Sequence, residues 1–177
     1  VQRADLVTTL YIFAGLPGSG KTTLAQGLAS HVGAVHLRID TIEQALRDLC
    51  DVEVVGEGYQ LAYRVAADNL RVGTSVVADC CNPWELTRRE WEDVARALDV
   101  DFVNVEVVCS DKAEHRRRVE TRANSIPNLE RPAWSQVEAR DYHSWTVPRV
   151  LVDTAGCAVE ESLSRLCTSL GVGATSR

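Results

Sequence analysis

Gly15-Leu16-Pro17-Gly18-Ser19-Gly20-Lys21-Thr22 decides the fold of this chain, because it meets every required position of the G-x-x-x-x-G-K-[ST] phosphate-binding pattern. The residues before it, 8–14 (TTLYIFA), are apolar and β-prone. Those after it place Leu24, Ala25, Leu28, Ala29 and Val32 on one side of a helix. Strand, loop and helix in that order are the context in which the pattern binds a nucleotide polyphosphate. The glycines let the backbone pass close to a phosphate, and successive N–H groups of the loop would point inward. The N-terminus of the helix carrying Lys21, Thr22 and Thr23 adds a partial positive charge. Lys21 is expected to reach the β- and γ-phosphates, and the Thr22 hydroxyl to bind Mg²⁺. Lys21 is also one of only two lysines in the chain, beside Lys112.

Outward from this loop, strand-like and helix-like stretches alternate to the end of the chain, with no internal repeat and no low-complexity linker. That is the pattern of an α/β fold built on a parallel sheet. The predicted strands are residues 6–14, 34–39, 75–79, 101–109 and 150–153. Helical stripes run through Ile42, Ala45, Leu46 and Leu49, through Leu61, Ala62, Val65, Ala66, Asn69 and Leu70, and through Trp84, Trp91, Val94 and Leu98. The last helix carries Val159, Leu163, Leu166, Cys167 and Leu170 and stops at Gly171. Between 123 and 132, Asn124, Pro127, Asn128 and Pro132 break both periodicities, so this part of a segment spanning about 116–135 is expected to form a loop or lid.

With 177 residues the chain suits one domain. A net charge of −6 provides no basic field for long nucleic acids, although a single polynucleotide terminus stays possible as an acceptor. No apolar run approaches the ~20 residues of a membrane span. The first ten residues, VQRADLVTTL, lack the apolar core of a signal peptide, so a cytoplasmic location is expected. The six cysteines (Cys50, Cys80, Cys81, Cys109, Cys157 and Cys167) contain no C-x-x-C pair, and they read as small, mostly buried hydrophobes in a reducing compartment.

Ligands of open parallel sheets gather beyond the carboxyl ends of the strands. Two aspartates stand there. Asp79 ends the third predicted strand, where a carboxylate can hold Mg²⁺ or simply open a loop. Asp40 ends the second, and Asp40-Thr41-Ile42-Glu43 also reads as a capping box. Asn82-Pro83-Trp84-Glu85 reads as a helix cap, and the adjacent Cys80-Cys81 as packing. Arg118 and Arg122, four apart on a helix starting near Ser110 or Asp111, could converge on a phosphoryl group or belong to a solvated face with Glu114 and Glu120. Asp153-Thr154-Ala155-Gly156 fits the D-x-x-G of GTP-binding switches, but no N-K-x-D for guanine accompanies it, so a turn near the nucleotide base is the better reading. Between 40 and 57, six acidic residues (Asp40, Glu43, Asp48, Asp51, Glu53 and Glu57) face Arg47 alone. That balance suits a neutral or cationic acceptor, or an acidic solvated face.

On the phosphate loop, on Arg38-Ile39-Asp40 and on the Arg118 and Arg122 pair before a lid, the chain resembles the small P-loop kinases related to chloramphenicol phosphotransferase, zeta-toxin kinases and the kinase domain of phage polynucleotide kinase. The resemblance implies a P-loop NTPase three-layer sandwich, with a five-stranded parallel sheet in the order 2-3-1-4-5 and a helical lid. It implies Asp40 as the base for the substrate hydroxyl, Arg38 as a substrate ligand, Arg118 and Arg122 as phosphate clamps, and adenine near Thr154, Ala155 and Gly156. The expected activity is ATP- and Mg²⁺-dependent transfer of the γ-phosphoryl group to a hydroxyl of a nucleoside, sugar or antibiotic-like small molecule. The alternatives are a 5′-hydroxyl polynucleotide kinase and a nucleotide-binding switch without a small-molecule acceptor.

Overall fold

A computed structural model describes residues 7–173, and the expected strand residue Leu6 lies outside them. The elements run β1 (Thr9–Ala14), α1 (Lys21–Val32), β2 (Val35–Arg38), α2 (Ile39–Cys50), α3 (Glu57–Arg71), β3 (Val76–Asp79), α4 (Glu85–Arg96), β4 (Asp101–Val108), α5 (Lys112–Thr121), α6 (Trp134–Glu138), β5 (Val150–Asp153) and α7 (Val159–Ser169). The five strands form one parallel sheet in the order β2-β3-β1-β4-β5. The expected strand order holds.

β1 lies at the centre, paired with β3 and β4, and all six of its residues are buried. A strand covered on both faces needs apolar side chains on both, which is why TLYIFA shows no polar alternation. Its pleat divides the core. Leu10 and Ile12 pack with Ala62, Ala66 and Leu70 of α3 and with Trp91 and Ala95 of α4. Tyr11 and Phe13 face the other way, onto Leu24 and Leu28 of α1 and Leu166 of α7. Helices therefore cover both faces of the sheet, and every strand delivers its carboxyl end to one edge of the resulting three layers.

Two capping expectations fail. α2 begins at Ile39, two residues earlier than the capping box requires, with Arg38 as N-cap and no side-chain cap bond. Asp40 sits inside the first turn, because β2 passes directly into the helix. α4 begins at Glu85 with Trp84 as N-cap. Asn82 is instead fully buried in a left-handed conformation (φ 44°), and its Nδ2 donates to the Phe13 carbonyl at 2.8 Å. Asp111 does cap α5, accepting from the Glu114 amide at 3.0 Å. Residues 116–121 belong to that helix, so the irregular part of the expected lid is 122–133, followed by the short α6. Among the described residues no helix is long and apolar enough to cross a membrane.

Candidate functional site

The phosphate loop joins β1 to α1, and its close packing depends on missing side chains. Gly18 has φ 85°, and a Cβ there would lie 2.5 Å from Cγ2 of Val119 on α5. A Cβ on Gly15 would lie 2.3 Å from the Val107 carbonyl oxygen. α5 thus presses on the loop, and His115 completes the contact with its Nε2 2.8 Å from the Pro17 carbonyl. α1 starts behind Gly20 (φ 92°) with no side-chain cap, which leaves its first amides for a ligand. Leu16, Pro17, Gly18, Gly20, Thr22 and Thr23 all border the cleft over this loop, whereas Ser19 is buried.

Lys21 turns inward. Its Nζ lies 2.7 Å from Oδ1 of the fully buried Asp79, and the lysine side chain is only 10% exposed. Thr22 Oγ1 donates to the same oxygen at 3.3 Å, and His36 Nε2 stands 3.2 Å from Oδ2. Burial alone would raise the Asp79 pKa, yet Lys21, His36 and Thr22 together hold it well below the usual carboxylate range. Burial likewise depresses Lys21, and the charges of Asp79 and Asp40 more than restore it. His36 was missed by sequence reading, because only the β2–β3 register brings it beside Asp79. The donor set of one hydroxyl and one carboxylate, both hard oxygens, fits Mg²⁺, which prefers few protein ligands plus water and phosphate. Among the described residues no group of three or more His, Cys, Asp or Glu side chains could hold a metal unaided.

Beyond the carboxyl end of β2, Asp40 is exposed into the cleft, its Oδ2 4.0 Å from Nη2 of Arg38. Arg38 Nη1 donates to Ser125 Oγ at 2.9 Å, and its Nε is buried with no partner. Glu43, one turn after Asp40, fills a notch that Gly58 keeps open, since a Cβ on Gly58 would lie 2.3 Å from Glu43 Cγ. Burial raises the Glu43 pKa, Arg47 opposes it, and Asp40 adds to it.

Arg118 and Arg122 have different neighbours. Arg118 donates to Thr154 Oγ1 (2.7 Å), to the Thr154 carbonyl (3.0 Å) and to Glu114 (2.6 Å). Thr154 Oγ1 in turn donates to the Ser19 carbonyl at 2.8 Å, under the phosphate loop. Glu114 accepts from the Gly156 amide at 2.9 Å, and Asp153 from the Ala155 amide at 3.0 Å, so the turn 154–156 is held beside Arg118. Arg122 leaves the helix as its C-cap, with ψ 140°. Its guanidinium is depressed by burial, supported by Asp40, and opposed by Arg131 and Arg38. Both arginines line the cleft, but the helix ends between them, and Arg118 is engaged by Thr154 while Arg122 faces Asp40, Arg131 and Arg38.

The cleft itself is about 1840 Å³, roughly twice the 300–1,000 Å³ of a single small-molecule site. Of the six acidic residues between 40 and 57, only Asp40, Glu43 and Glu57 line it; with Glu90, Glu130 and Asp141 they share the wall with Lys21 and with Arg38, Arg47, Arg64, Arg118, Arg122, Arg131 and Arg140. Asp48 is engaged by Gln44 and Asn128. Acidic and basic side chains are therefore mixed along the cleft, and half of the acidic stretch lies outside its lining, as the solvated-face reading has it. Cys80 is buried, its thiol pushed up by that burial, which suits packing and not nucleophilic chemistry. Cys80, Cys109 and Cys167 are buried, whereas Cys81 and Cys157 are partly exposed and Cys50 is exposed.

A family model described as an AAA domain matches residues 10–140. A search of curated proteins by sequence finds no match. Among solved structures, Mycobacterium tuberculosis APS kinase in complex with AMPPNP and APS is similar with a TM-score of 0.67 and 17% identity, over 93% of this chain and 98% of that one. Chaetomium thermophilum Kti12 in complex with ADP-AlF3 gives 0.67 and 20%, over 94% and 100%. A gluconokinase from Sinorhizobium meliloti gives 0.63 and 16%, over 93% and 97%. At these identities the likeness is one of fold.

Proposed function

This chain belongs to the AAA-domain family, and on that premise we propose that it is a kinase transferring the γ-phosphoryl group of ATP to a hydroxyl of a small molecule. The observation that carries the reading is the two-ended cleft. One end is a phosphate loop with Lys21. The other presents an exposed carboxylate, Asp40, between Arg38 and Arg122, in a space large enough for two ligands.

The amides of the phosphate loop that are not already bonded and the first amides of α1 bind the phosphates, and Lys21 exchanges Asp79 for phosphate oxygens when nucleotide enters. Thr22 and Asp79 would hold Mg²⁺, which would supply charge neutralisation to the nucleotide phosphates. Arg118 and the turn at Thr154, Ala155 and Gly156 border the end where adenine lies. Asp40 accepts the proton of the acceptor hydroxyl as its oxygen bonds to the γ-phosphorus and the bond to the bridging oxygen of ADP breaks. Arg122 offsets the charge of the phosphoryl group in flight. Residues 122–133 act as a lid over the reacting groups, a role supported by the bonds of Ser125 and Asn128 to Arg38 and Asp48.

The test is incubation with MgATP and a panel of nucleosides, sugars, hydroxyl-bearing antibiotics and a 5′-hydroxyl oligonucleotide, read by mass spectrometry. Gain of one phosphoryl group on a small molecule is expected. Transfer to the oligonucleotide alone would move the assignment to a polynucleotide kinase, and ATP consumption with no phosphorylated product would remove the kinase reading.

A further inference from the structure

Arg88 on α4 is 3% exposed, yet among the described residues it has no ion-pair partner. Its charge is met by carbonyl oxygens. Nε donates to Asn82 (2.9 Å), Nη2 to Pro83 (3.0 Å) and His143 (2.8 Å), and Nη1 to Ser144 (3.5 Å). Two aromatic rings cover it, Tyr142 at 4.8 Å and Trp145 at 4.1 Å from the guanidinium carbon to the ring centres. Holding a cation in such a place costs desolvation, which four directed bonds and two ring faces offset. An aliphatic residue would fill the space at lower cost. The arrangement is thus specific for what the guanidinium joins.

It joins two pieces of chain that have no regular structure. One is the β3–α4 loop, which is bonded to the end of β1 and to the start of the phosphate loop. The Gly15 amide donates to the Cys81 carbonyl at 3.0 Å, and Asn82 Nδ2 donates to the Phe13 carbonyl at 2.8 Å. The other is the strap of residues 139–149 between α6 and β5, whose His143 amide donates to the Pro83 carbonyl at 2.7 Å. The strap carries Arg140 and Asp141 into the cleft, and Arg140 Nη1 lies 3.4 Å from Cys81 Sγ. An eleven-residue strap with no ladder of its own depends on side-chain anchors, and the Arg88 clasp, beside the bond from the Glu85 amide to His143 Nδ1 and the Arg149–Glu106 pair, is the one that joins it to the β3–α4 loop through a buried charge.

We propose that Arg88 is a positioning residue for the acceptor. By clasping the strap to the loop beside Gly15 it fixes Arg140 and Asp141 as one wall of the acceptor end and ties that wall to the nucleotide end. The proposal rests on the kinase reading given above.

The test uses Arg88→Lys, which keeps the charge but cannot reach four carbonyls in one plane, and Trp145→Ala, which opens the clasp from the strap side without touching α4. Hydrogen exchange is followed on residues 139–149 and on the phosphate loop. Affinity is measured for AMPPNP, and transfer kinetics for the acceptor found by mass spectrometry. Strap amides are expected to exchange about tenfold faster or more, while AMPPNP affinity stays within about twofold. The acceptor KM should rise about tenfold or more, with the larger effect on KM than on kcat. Arg88→Lys combined with Arg140→Ala should cost less than the sum of the two. The proposal is overturned if strap exchange is unchanged in both variants. It is equally overturned if the strap loosens and the acceptor KM does not move, or if AMPPNP affinity falls as much as acceptor affinity, which would make Arg88 a general structural residue. If the wild-type protein phosphorylates nothing, the kinase reading itself fails, and fast strap exchange alone then marks Arg88 as a fold element and overturns the acceptor role.

Discussion

Replacing Lys21 by methionine, which preserves length and removes the charge, should destabilise the nucleotide-free protein as well as stop phosphoryl transfer. The ammonium and the Asp79 carboxylate are 2.7 Å apart, with Asp79 inaccessible to solvent. At an effective dielectric constant of about 20 their attraction is about 6 kcal/mol. Much of that only offsets desolvation, but removing one partner strands the other, and breaking a buried pair this way costs about 3–5 kcal/mol. Thr22 and His36 keep their bonds to Asp79, so about 3 kcal/mol is expected at pH 7. The pH dependence should also change sign. In the wild type the folded pKa of Asp79 is depressed, so its contribution is present above the unfolded value of about 3.9 and is lost only as acid carries the pH down through the folded value. Without Lys21, burial dominates and raises that pKa. Asp79 then favours folding below about pH 4, and this contribution is lost as pH rises through the new folded value. Urea denaturation of wild type, Lys21→Met and Lys21→Met/Asp79→Asn between pH 4.5 and 7.5 reads this directly. The single variant's deficit should grow with pH, and the double variant should recover most of it. A Lys21→Met protein as stable as wild type at pH 7, with a parallel pH profile, would refute the buried-pair argument.

Asp40→Asn should lower kcat by roughly 10²-fold or more with MgATP binding unchanged. Because Asp40 makes no cap bond, even Asp40→Ala should cost no more than about 1 kcal/mol of stability by urea denaturation, the scale of a charge near a helix N-terminus. Arg118→Ala and Arg122→Ala should separate: Arg118→Ala should weaken AMPPNP binding by calorimetry, through the freed turn at Thr154, whereas Arg122→Ala should lower kcat with nucleotide affinity retained. Equal effects in both assays would put the two side chains back at one subsite. Gly18→Ala, with a Cβ 2.5 Å from Val119 and φ 85°, should cost more than about 1 kcal/mol and lose nucleotide binding, and the accompanying Val119→Ala change should return part of both.

The parts of this protein that could be read in the sequence are those whose cause is local or periodic. The phosphate loop, the buried central strand and the alternation that dictates a parallel sheet all belong to this class. So does the loss of pattern near Pro127 and Pro132. The misreadings share a cause of the opposite kind. Asp40-Thr41-Ile42-Glu43 has the composition of a capping box, but β2 runs straight into α2 and leaves the carboxylate free over the cleft. Asn82 precedes a proline as a cap would, yet its amide is committed to Phe13, 69 residues away. Arg118 and Arg122 have the spacing of one helix face, but the helix ends between them and Thr154 captures the first. His36, the notch that Gly58 makes for Glu43, and the Arg88 clasp depend wholly on contacts between distant segments, so no spacing could announce them.

The central claim is that Asp40 takes a proton from an acceptor hydroxyl while the γ-phosphoryl group crosses the cleft, and single-turnover transfer of γ-labelled ATP to the identified acceptor tests it most directly. With wild-type protein the label should move to the acceptor in one phase, and with Asp40→Asn it should move roughly 10²-fold more slowly at equal MgATP occupancy. Transfer by Asp40→Asn at the wild-type rate, or label released by the wild type only as inorganic phosphate, would contradict it.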